Sequence, residues 1–413
     1  MYNLRLSAEQ LEIRDTVRDF VTQEIKPVAL KADRLEAVDR PLLIDLLDKA
    51  SQMGLRTLTL PEELGGAGAD NLTACIVAEE LAVGDVDIAA TLARTSTLGR
   101  VLFEQMTAAQ RERYLPQFLE DDRYHLALAD HESSRETALG VNYHRPKLSE
   151  ARFNTTATRA ANGEWIVNGV KEGVANAPVA KLFAVQITTR ANSASTLLVP
   201  RETPGLAVRE RKEAGGWHHG TSAELVLKDC RVPAENLLGA DGDSPLVGSL
   251  SSVREESPQL QAVNLGIGRA AYEAALAYTQ LRVQGGRRII EHQAIATKLA
   301  EIVIRLEVAR NAIWQAAWAA DHPEVLADRS LADLPMTTIA KVFTSEAVYQ
   351  VAKDAAECFG AMGVMKDTPL QKYIGDALIF LHSGDGNSDA KLRIAEALAG
   401  YLRSPAATAH AAE

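Results

Sequence analysis

Apolar and polar residues follow each other along the chain with two different periods, and the period changes twice. Through the first part of the chain, to about Leu119, apolar positions recur every three or four residues, as on one face of a helix. From His125 to Leu238 they form short runs divided by turn dipeptides such as Asn162-Gly163. Beyond about Pro245 the helical spacing returns in long stretches. This order predicts an α+β protein made of several packed units.

The predicted elements divide the chain into three domains. The first helix is predicted to begin after Ser7, a residue type that caps helix N-termini, and to be interrupted at Pro27. Further helices are predicted at 41–53, 71–83, 88–119, 264–282, 293–320, 337–359 and 389–402. Strands are predicted at 154–159, 164–167, 182–185, 196–200 and 224–227. We therefore expect an N-terminal helical domain (1–124), a middle β-barrel or β-sandwich domain (125–240) and a C-terminal four-helix bundle (241–413).

Length and charge narrow the classes of function. The chain has 413 residues, more than one hydrophobic core usually holds. Its formal net charge of −11 disfavours nucleic acid as a partner, although local basic groups can still hold a small phosphorylated ligand. No apolar run approaches the roughly 20 residues that span a bilayer, and the N-terminus lacks the apolar core of a secretory signal, so no membrane association and a cytoplasmic location are expected.

The cysteines and histidines do not show metal-site spacing. Cys75, Cys230 and Cys358 are far apart and form no Cys-x-x-Cys pair, which argues against a disulfide framework or structural zinc. The pair His218-His219 lacks a third ligand at a suitable distance along the chain. No bound metal is expected.

Local segments add a more specific signal. In chain order they read Leu60-Pro-Glu-Glu-Leu-Gly-Gly-Ala-Gly68, Asn168-Gly-Val-Lys171 with Asn176-Ala177, Asp229-Cys-Arg-Val-Pro-Ala-Glu-Asn-Leu-Leu-Gly239, Leu265-Gly-Ile-Gly-Arg-Ala270, Phe359-Gly-Ala-Met-Gly363 and Asp376-Ala377. Each segment resembles one of the acyl-CoA dehydrogenase family, and together they keep the family's order and cover nearly the whole chain. The chain is therefore similar to these flavoproteins.

The resemblance implies a cofactor, a substrate and an assembly. It implies an FAD between the β domain and the C-terminal helices of a tetramer, with acyl-CoA or another acyl thioester as substrate and an acceptor such as electron-transfer flavoprotein. It places Arg282 against the pyrophosphate of a partner subunit's FAD, where a cation or a helix N-terminus is needed. The positions that the resemblance assigns to FAD are Leu128, Ala129, Asp130, Gly173, Ala175, Arg282, Gln293, Phe359, Gly360, Gly363, Asn387 and Asp389.

Three segments depart from the family pattern. Gly173 and Ala175 stand where the resemblance implies a Trp over the flavin ring and a Thr hydroxyl near N5. The family's Thr-Glu-Pro segment reads Ala129-Asp130-His131, and its Phe of the Arg-x-x-Phe-Gly segment is Gly285. These changes predict a more open flavin face.

The catalytic base has two candidates. The reaction needs a carboxylate opposite the flavin that removes the proton next to the thioester carbonyl. Most relatives place it after the Asp-Ala pair, which corresponds to Asp385 with a shift of one residue, and a minority place it ten residues before the Gly of the Leu-Gly pair, which is Glu256. Glu256 either shares a helical stripe with Leu260, or lies outside a helix that Ser257-Pro258 would begin. His382 is a secondary candidate for carrying a proton.

Three functions remain open at this point. The first is an FAD-dependent acyl-thioester dehydrogenase. The second is a monooxygenase or oxidase of the same fold, because the open face at Gly173 and Ala175 suits oxygen access. The third is a non-catalytic subunit that pairs with a related chain in a hetero-oligomer.

Overall fold

The computed structural model describes residues 5–35, 41–132, 153–190, 194–209, 222–246, 253–254, 256–326, 334–384 and 386–398. Helices occupy both ends of this part of the chain and strands occupy its middle. The helices are α1 Ala8–Phe20, α2 Lys26–Ala29, α3 Ile44–Gln52, α4 Asn71–Gly84, α5 Val86–Gln105, α6 Ala108–Glu120, α7 Pro258–Leu281, α8 Gln293–Asp321, α9 Met336–Cys358, α10 Leu370–His382 and α11 Gly386–Leu398.

The first helix begins where the sequence predicts but does not stop at Pro27. Ser7 caps it in a capping box, with its hydroxyl accepting from the Gln10 backbone N–H and the Gln10 side chain accepting from the Ser7 N–H. A widened π-helical stretch, Val21–Ile25, then leads into α2, which contains Pro27. Proline has no N–H and its ring crowds the carbonyl four residues earlier. The wider turn makes room for that ring, so the helical path continues to Ala29.

The predicted helix over 88–119 is two helices. Met106 is extended, and Thr107 caps α6 through a second capping box with Gln110. The Thr-x-x-Gln spacing that ends one helix and starts the next was present in the sequence inside an otherwise continuous apolar pattern. The capping box therefore separates two helices here, although the apolar pattern alone predicts one continuous helix.

The middle of the chain folds into two four-stranded sheets, with strand orders β1-β4-β5-β8 and β2-β3-β7-β6. Their strands are β1 His125–Ala129, β2 Thr156–Arg159, β3 Trp165–Ala175, β4 Ala180–Ile187, β5 Ser195–Pro200, β6 Leu206–Arg209, β7 Ser222–Val232 and β8 Leu237–Leu238. Strand β1 runs parallel to β4, and the other pairs of the two sheets are antiparallel. Apolar side chains of both sheets share one core that includes Trp165, Phe183, Val199 and Leu225. This is a β-sandwich.

The helices at the two ends of the chain share a second core, which includes Leu81 of α4, Val263 of α7 and Val348 of α9. Close approach of α7 to α4 depends on Gly266, because a Cβ there would lie 2.5 Å from the backbone oxygen of Glu79. Between α7 and α8 lies a short hairpin, β9 Val283–Gln284 and β10 Arg287–Arg288.

The structure confirms the predicted fold class and adds elements that the pattern did not indicate. Strands β1 and β6 and helix α10 were not among the predicted elements. Strand β1 is short and buried at nearly every position, so it has no alternation that would distinguish it from a buried helical turn. No helix in the described part of the chain is long and apolar enough to cross a membrane. The proposed domain boundaries remain a prediction.

Candidate active site

A cleft opens between the β-sandwich and the helices. Its empty volume is ≈ 1270 Å³, part of it open to solvent. The lining comes from α5, β1, the end of β3, the segment before α7, α9 and α11, so the N-terminal, middle and C-terminal parts of the chain all contribute. The described lining residues are Arg94, Leu98, Leu126, Ala127, Leu128, Asp130, His131, Gly173, Ala175, Val253, Arg254, Glu256, Lys341, Gly384 and Arg393.

The sandwich wall of the cleft is open at Gly173. This residue has a φ of +59°, and the register between β3 and β7 shifts between Lys171 and Val174. The bulge therefore favours glycine, since other residues adopt this conformation at a cost. A Cβ placed at Gly173 would meet no atom within 4 Å. The neighbouring Glu172 donates its backbone N–H to the His131 carbonyl at 3.0 Å, which joins this bulge to the segment after β1.

A buried ion pair lies beneath that wall. Lys171 Nζ is 2.7 Å from Glu132 Oε1, and the two side chains are 0% and 3% exposed. Glu132 also accepts from the Asn154 and Thr155 backbone N–H groups and from the Thr155 hydroxyl. Desolvation raises the pKa of the Glu132 carboxyl, but Lys171 and the Thr155 bonds outweigh it, so the net pKa is lowered. Glu132 therefore stays ionised and ties the segment after β1 to β3.

A second polar cluster holds the turn that follows Ala175. Asn176 is buried at a φ of +63°, and its amide Nδ2 donates to the Thr91 carbonyl, the Thr95 hydroxyl and the Leu126 carbonyl at 3.1, 3.2 and 3.2 Å. The Thr95 hydroxyl also lies 3.2 Å from Nδ1 of the buried His125. Burial, assisted by the nearby Arg56, lowers the pKa of His125 to about 3, so the imidazole is neutral at physiological pH. These contacts connect α5, β1 and β3 behind the cleft.

Among the described residues that line the cleft, two are carboxylates, and each is paired with an arginine. Glu256 Oε1 lies 2.9 Å from Arg393 Nη1, and Asp130 Oδ2 accepts from Arg254 at 2.5–2.6 Å. Helix α7 begins at Pro258 with Ser257 as its cap, so Glu256 lies just before the helix and not on its apolar stripe. The positive end of the helix still favours a carboxylate at this position. Glu256 is 13% exposed, and its side chain reaches the same cleft as Gly173 and Ala175.

A second group of predicted cofactor residues lies at the other end of α7. Arg282 caps that end and is exposed, as is Gln293 at the start of α8. Because α7 has 24 residues, its two ends are roughly 36 Å apart. Phe359 stacks on Tyr278 of α7 with ring centroids 4.1 Å apart, next to the exposed Gly360. Within one chain, therefore, Arg282 and its neighbours Gln293, Phe359 and Gly360 lie too far from Glu256 to contact the same part of a bound molecule.

The structure also places the remaining predicted residues. Ala129 is 0% exposed and packs into the sandwich core rather than lining the cleft. Asn387 on α11 bonds to the Ser345 hydroxyl, Asp389 lies in the same first turn of α11, and Gly363 is buried against the Ala356 carbonyl. His382 is exposed at the end of α10.

Two further predictions fall on residues that are not described. Asp385 and the His218-His219 pair lie outside the described residues, although Gly384, the neighbour of Asp385, lines the cleft.

Four cationic residues of the described lining were not predicted from the sequence: Arg94, Arg254, Lys341 and Arg393. They lie on or beside four different helical elements, and no local motif connects them. The available signal was weak. Arg94 and Lys341 each interrupt a mostly apolar or hydroxyl-bearing stretch of helix, which is unusual for a charged residue.

The cleft suits the flat ring system of FAD. Such a ring needs a planar space beside a main-chain edge. The planar space is available at Gly173, where no atom lies near the position of a Cβ. The main-chain edge is available at β1, which is an edge strand of its sheet within the described residues. Leu128 and Ala175 add small or apolar contacts on the same wall.

Similarity to known proteins extends over most of the chain. The chain matches the family models for the N-terminal, middle and C-terminal domains of acyl-CoA dehydrogenase over residues 7–122, 147–230 and 250–398. It is 29% identical over 395 residues to a probable acyl-CoA dehydrogenase, YngJ, of Bacillus subtilis, covering 94% of this chain and 97% of that protein.

Solved structures show the same similarity. Butyryl-CoA dehydrogenase from Megasphaera elsdenii is 25% identical, with a TM-score of 0.80 over 96% of this chain and 100% of that one. A chain from a study of the electron transferring flavoprotein of Acidaminococcus fermentans is 27% identical, with a TM-score of 0.82 over 98% and 100%. The three domain matches, in order and over most of the sequence, show that this chain belongs to the acyl-CoA dehydrogenase family of FAD-dependent oxidoreductases.

Proposed function

We propose that this protein is an acyl-thioester dehydrogenase that uses Glu256 as its catalytic base. The observation that carries the proposal is that the Glu256 carboxylate and the open wall at Gly173 and Ala175 line one cleft. A carboxylate across a narrow cleft from a flavin ring has the arrangement that α-proton removal requires. Asp385, the alternative base, follows Gly384 in the sequence, and Gly384 lines the cleft, so Asp385 is tested beside Glu256.

FAD, when bound, accepts the hydride that leaves the β carbon of the acyl group. Side chains of the protein remove the α proton and exclude water. Glu256 takes the proton from the α carbon, the electron pair of that C–H bond becomes the new double bond, and two electrons leave with the hydride. Arg393 holds Glu256 in place before substrate enters, and the apolar side chains of Leu98, Leu126 and Val253 exclude water from the reacting carbons. We propose an electron-transfer flavoprotein as the electron acceptor of this protein.

The phosphate end of the cofactor requires a second chain in this proposal. Arg282 lies roughly 36 Å from the Glu256 end of α7, so it would serve the FAD of a partner subunit. The flanking Leu281 and Val283 are 81% and 58% exposed, and apolar surface of this kind is usually covered by a partner. A tetramer, or a hetero-oligomer with a related chain, supplies that cover.

The test is anaerobic reduction of the FAD-loaded protein by a panel of acyl-CoAs, followed by loss of flavin absorbance. Glu256→Gln is expected to bind FAD normally and to lose reduction, because an amide cannot accept the proton. Asp385→Asn is measured in parallel, and the exposed Glu112→Gln is the matched control. Reduction of Glu256→Gln at the wild-type rate would reject Glu256 as the base.

The open wall also favours a second candidate, an oxygen-using monooxygenase or oxidase. At Gly173 there is space within 4 Å that a side chain could fill, and that space would let oxygen approach the ring. The source of the electrons that reduce the flavin distinguishes a dehydrogenase from a monooxygenase. A dehydrogenase is reduced by acyl-CoA without oxygen, whereas a monooxygenase needs a separate reductase and then consumes oxygen when its substrate is present.

A further inference from the structure

A second cavity lies between α6, the start of β4 and the end of β5. Its empty volume is ≈ 800 Å³, part of it open to solvent, and it shares no described lining residue with the candidate active site. Sites for small molecules span roughly 300–1,000 Å³, so the cavity has room for more than a single ion. Its described lining includes three cations, two tyrosines and one carboxylate: Arg113, Lys181, Arg201, Tyr114, Tyr124 and Glu202.

The Arg201 side chain is fixed by the main chain. Its Nη1 donates to the carbonyls of Ala177 and Ala180 at 2.8 and 3.0 Å, and its backbone N–H donates to the Lys181 carbonyl at 2.9 Å. Within the described part of the chain it forms no ion pair, and Glu202, the carboxylate of the described lining, is exposed. Because these bonds fix the guanidinium before a ligand arrives, less side-chain entropy is lost on binding.

The other two cations form ion pairs at the rim of the cavity. Arg113 Nη1 lies 3.1 Å from Asn236 Oδ1 and 3.7 Å from a Glu235 carboxylate oxygen, and Lys181 pairs with Asp121. The side chains of Arg113 and Lys181 are 46% and 43% exposed. Exposed pairs of this kind contribute at most about 1 kcal/mol. An anion in the cavity can therefore share these cations with their carboxylates at little cost.

The two tyrosines add hydrogen-bond donors. Tyr114 is 2% exposed, and no hydrogen bond of normal geometry reaches its hydroxyl. The neighbouring Asn236 is already engaged, since its amide donates to the Leu198 carbonyl and its Oδ1 accepts from Arg113. Burial raises the pKa of Tyr114 and of Tyr124, so both phenols stay protonated at physiological pH. A buried hydroxyl without an acceptor costs free energy, which a ligand oxygen would restore.

A further cation lies behind Tyr124. Arg56 is 2% exposed, and its Nη1 donates to the carbonyls of Phe118 and Tyr124. Burial lowers the pKa of Arg56, and Asp122 and Asp121 attract its charge without forming an ion pair with it in the described structure. The charge of Arg56 therefore adds to the positive potential at the inner wall of the cavity.

We propose that this cavity binds a small molecule through its phosphate group. A phosphate monoester carries a charge of roughly −1.5 to −2 at pH 7 and several acceptor oxygens, which match a lining of guanidinium, ammonium and phenol donors. The planar fork of Arg201 suits phosphate geometry in particular. A single carboxylate has fewer oxygens and would engage fewer of these donors. The site is separate from the proposed dehydrogenase reaction and does not depend on it.

Binding is tested on the FAD-loaded protein, so that the cofactor already occupies its own site. The protein is titrated calorimetrically with inorganic phosphate, pyrophosphate and glycerol 3-phosphate at constant ionic strength, with acetate as the single-carboxylate comparison. We expect a dissociation constant of about 10 μM to 1 mM for the tightest phosphate compound, and binding of acetate at least roughly tenfold weaker. Higher ionic strength is expected to weaken phosphate binding.

Variants assign the binding to this cavity. Arg201→Gln is expected to weaken phosphate binding by roughly tenfold or more, the range of a hydrogen bond to a charged group, and Arg201→Lys by less because the charge remains. Tyr114→Phe is expected to weaken it roughly two- to tenfold. Without ligand, Tyr114→Phe should unfold at the wild-type temperature or above it, because no internal hydrogen bond is lost. Arg209→Gln, on β6 outside the described cavity lining, is the control for loss of one exposed arginine and should leave the affinity unchanged.

Three results would overturn the inference. The first is the absence of binding by every phosphate compound up to about 10 mM. The second is binding that neither Arg201→Gln nor Tyr114→Phe weakens, because phosphate would then bind elsewhere on the protein. The third is acetate binding as tight as that of phosphate. Flavin content and thermal unfolding show that each variant is folded, and if Arg201→Gln does not fold, Arg201→Lys and Tyr114→Phe decide the second result.

Discussion

The buried pair of Lys171 and Glu132 provides a quantitative test of how the cleft wall is held. Replacing Lys171 with Met keeps most of the side-chain volume and removes the cation. Glu132 then keeps its bonds from Asn154 and Thr155 but loses the charge 2.7 Å away, in a site where its side chain is 3% exposed. Breaking a buried pair by removing one partner costs about 3–5 kcal/mol. Because three hydrogen bonds remain, we expect about 3 kcal/mol, the lower end of that range.

The loss is measured by urea unfolding. With a slope of about 3 kcal/mol per molar urea, the unfolding midpoint of Lys171→Met falls by roughly 1 M. The flavin content of the purified protein should fall with it, because Lys171 and Glu132 connect the two backbone segments that form the sandwich wall of the cleft. Lys181→Met is the matched control. Lys181 pairs with Asp121 on the surface, at 43% and 37% exposure, and such pairs contribute at most about 1 kcal/mol.

A double variant tests the cause. Adding Glu132→Gln to Lys171→Met removes the uncompensated charge while keeping an acceptor for the Thr155 bonds, so at least half of the lost stability should return. The reasoning is refuted if Lys171→Met unfolds at the wild-type midpoint with normal flavin content. It is also refuted if the double variant is no more stable than the single one, because the cost would then come from packing and not from charge.

Two further predictions concern the polar cluster behind the cleft. His125 has its pKa lowered from 6.5 to about 3 by burial and by Arg56, so the native state resists protonation and loses stability as pH falls from 6.5 towards 3. His125→Gln should flatten that part of the curve of unfolding free energy against pH by up to about 1.4 kcal/mol per pH unit, and an unchanged slope between pH 6 and pH 4 would contradict the assignment. Asn176 combines a φ of +63° with three amide hydrogen bonds. Asn176→Ala should therefore be less stable than Asn176→Gly by about 1 kcal/mol, with both below wild type, and thermal unfolding that ranks alanine above glycine would exclude backbone strain as the reason.

Much of the architecture could be predicted from local patterns. The periods of the apolar positions correctly indicated helices, then strands, then helices, and the Ser7 capping box marks the start of α1 as expected. Prediction was less successful where two local signals competed. At Pro27 the helix continues through a π-helical turn, and at Thr107 a cap divides a continuous apolar pattern. Helix α10 was missed although it carries the Asp376-Ala377 motif that had been identified.

The candidate site was only partly predictable. Gly173, Ala175 and Glu256 were named from motif positions, and the fold brings all three to one cleft. Glu256 was predicted with two local geometries, and the cap at Ser257 places it before the helix. Arg393 could not have been linked to Glu256 from the sequence, because the two residues lie 137 positions apart and only the packing of α11 near the start of α7 brings them together.

Local propensity and motif order are properties of the sequence alone, since a cap, a turn or a glycine acts on its immediate neighbours. On that basis the sequence determined the fold class, the family and the positions that depart from its pattern. The tertiary structure decided which charges share the cleft. Arg94, Arg254, Lys341 and Arg393 come from separate elements, and the strength of the field they create together depends on distances that only folding sets.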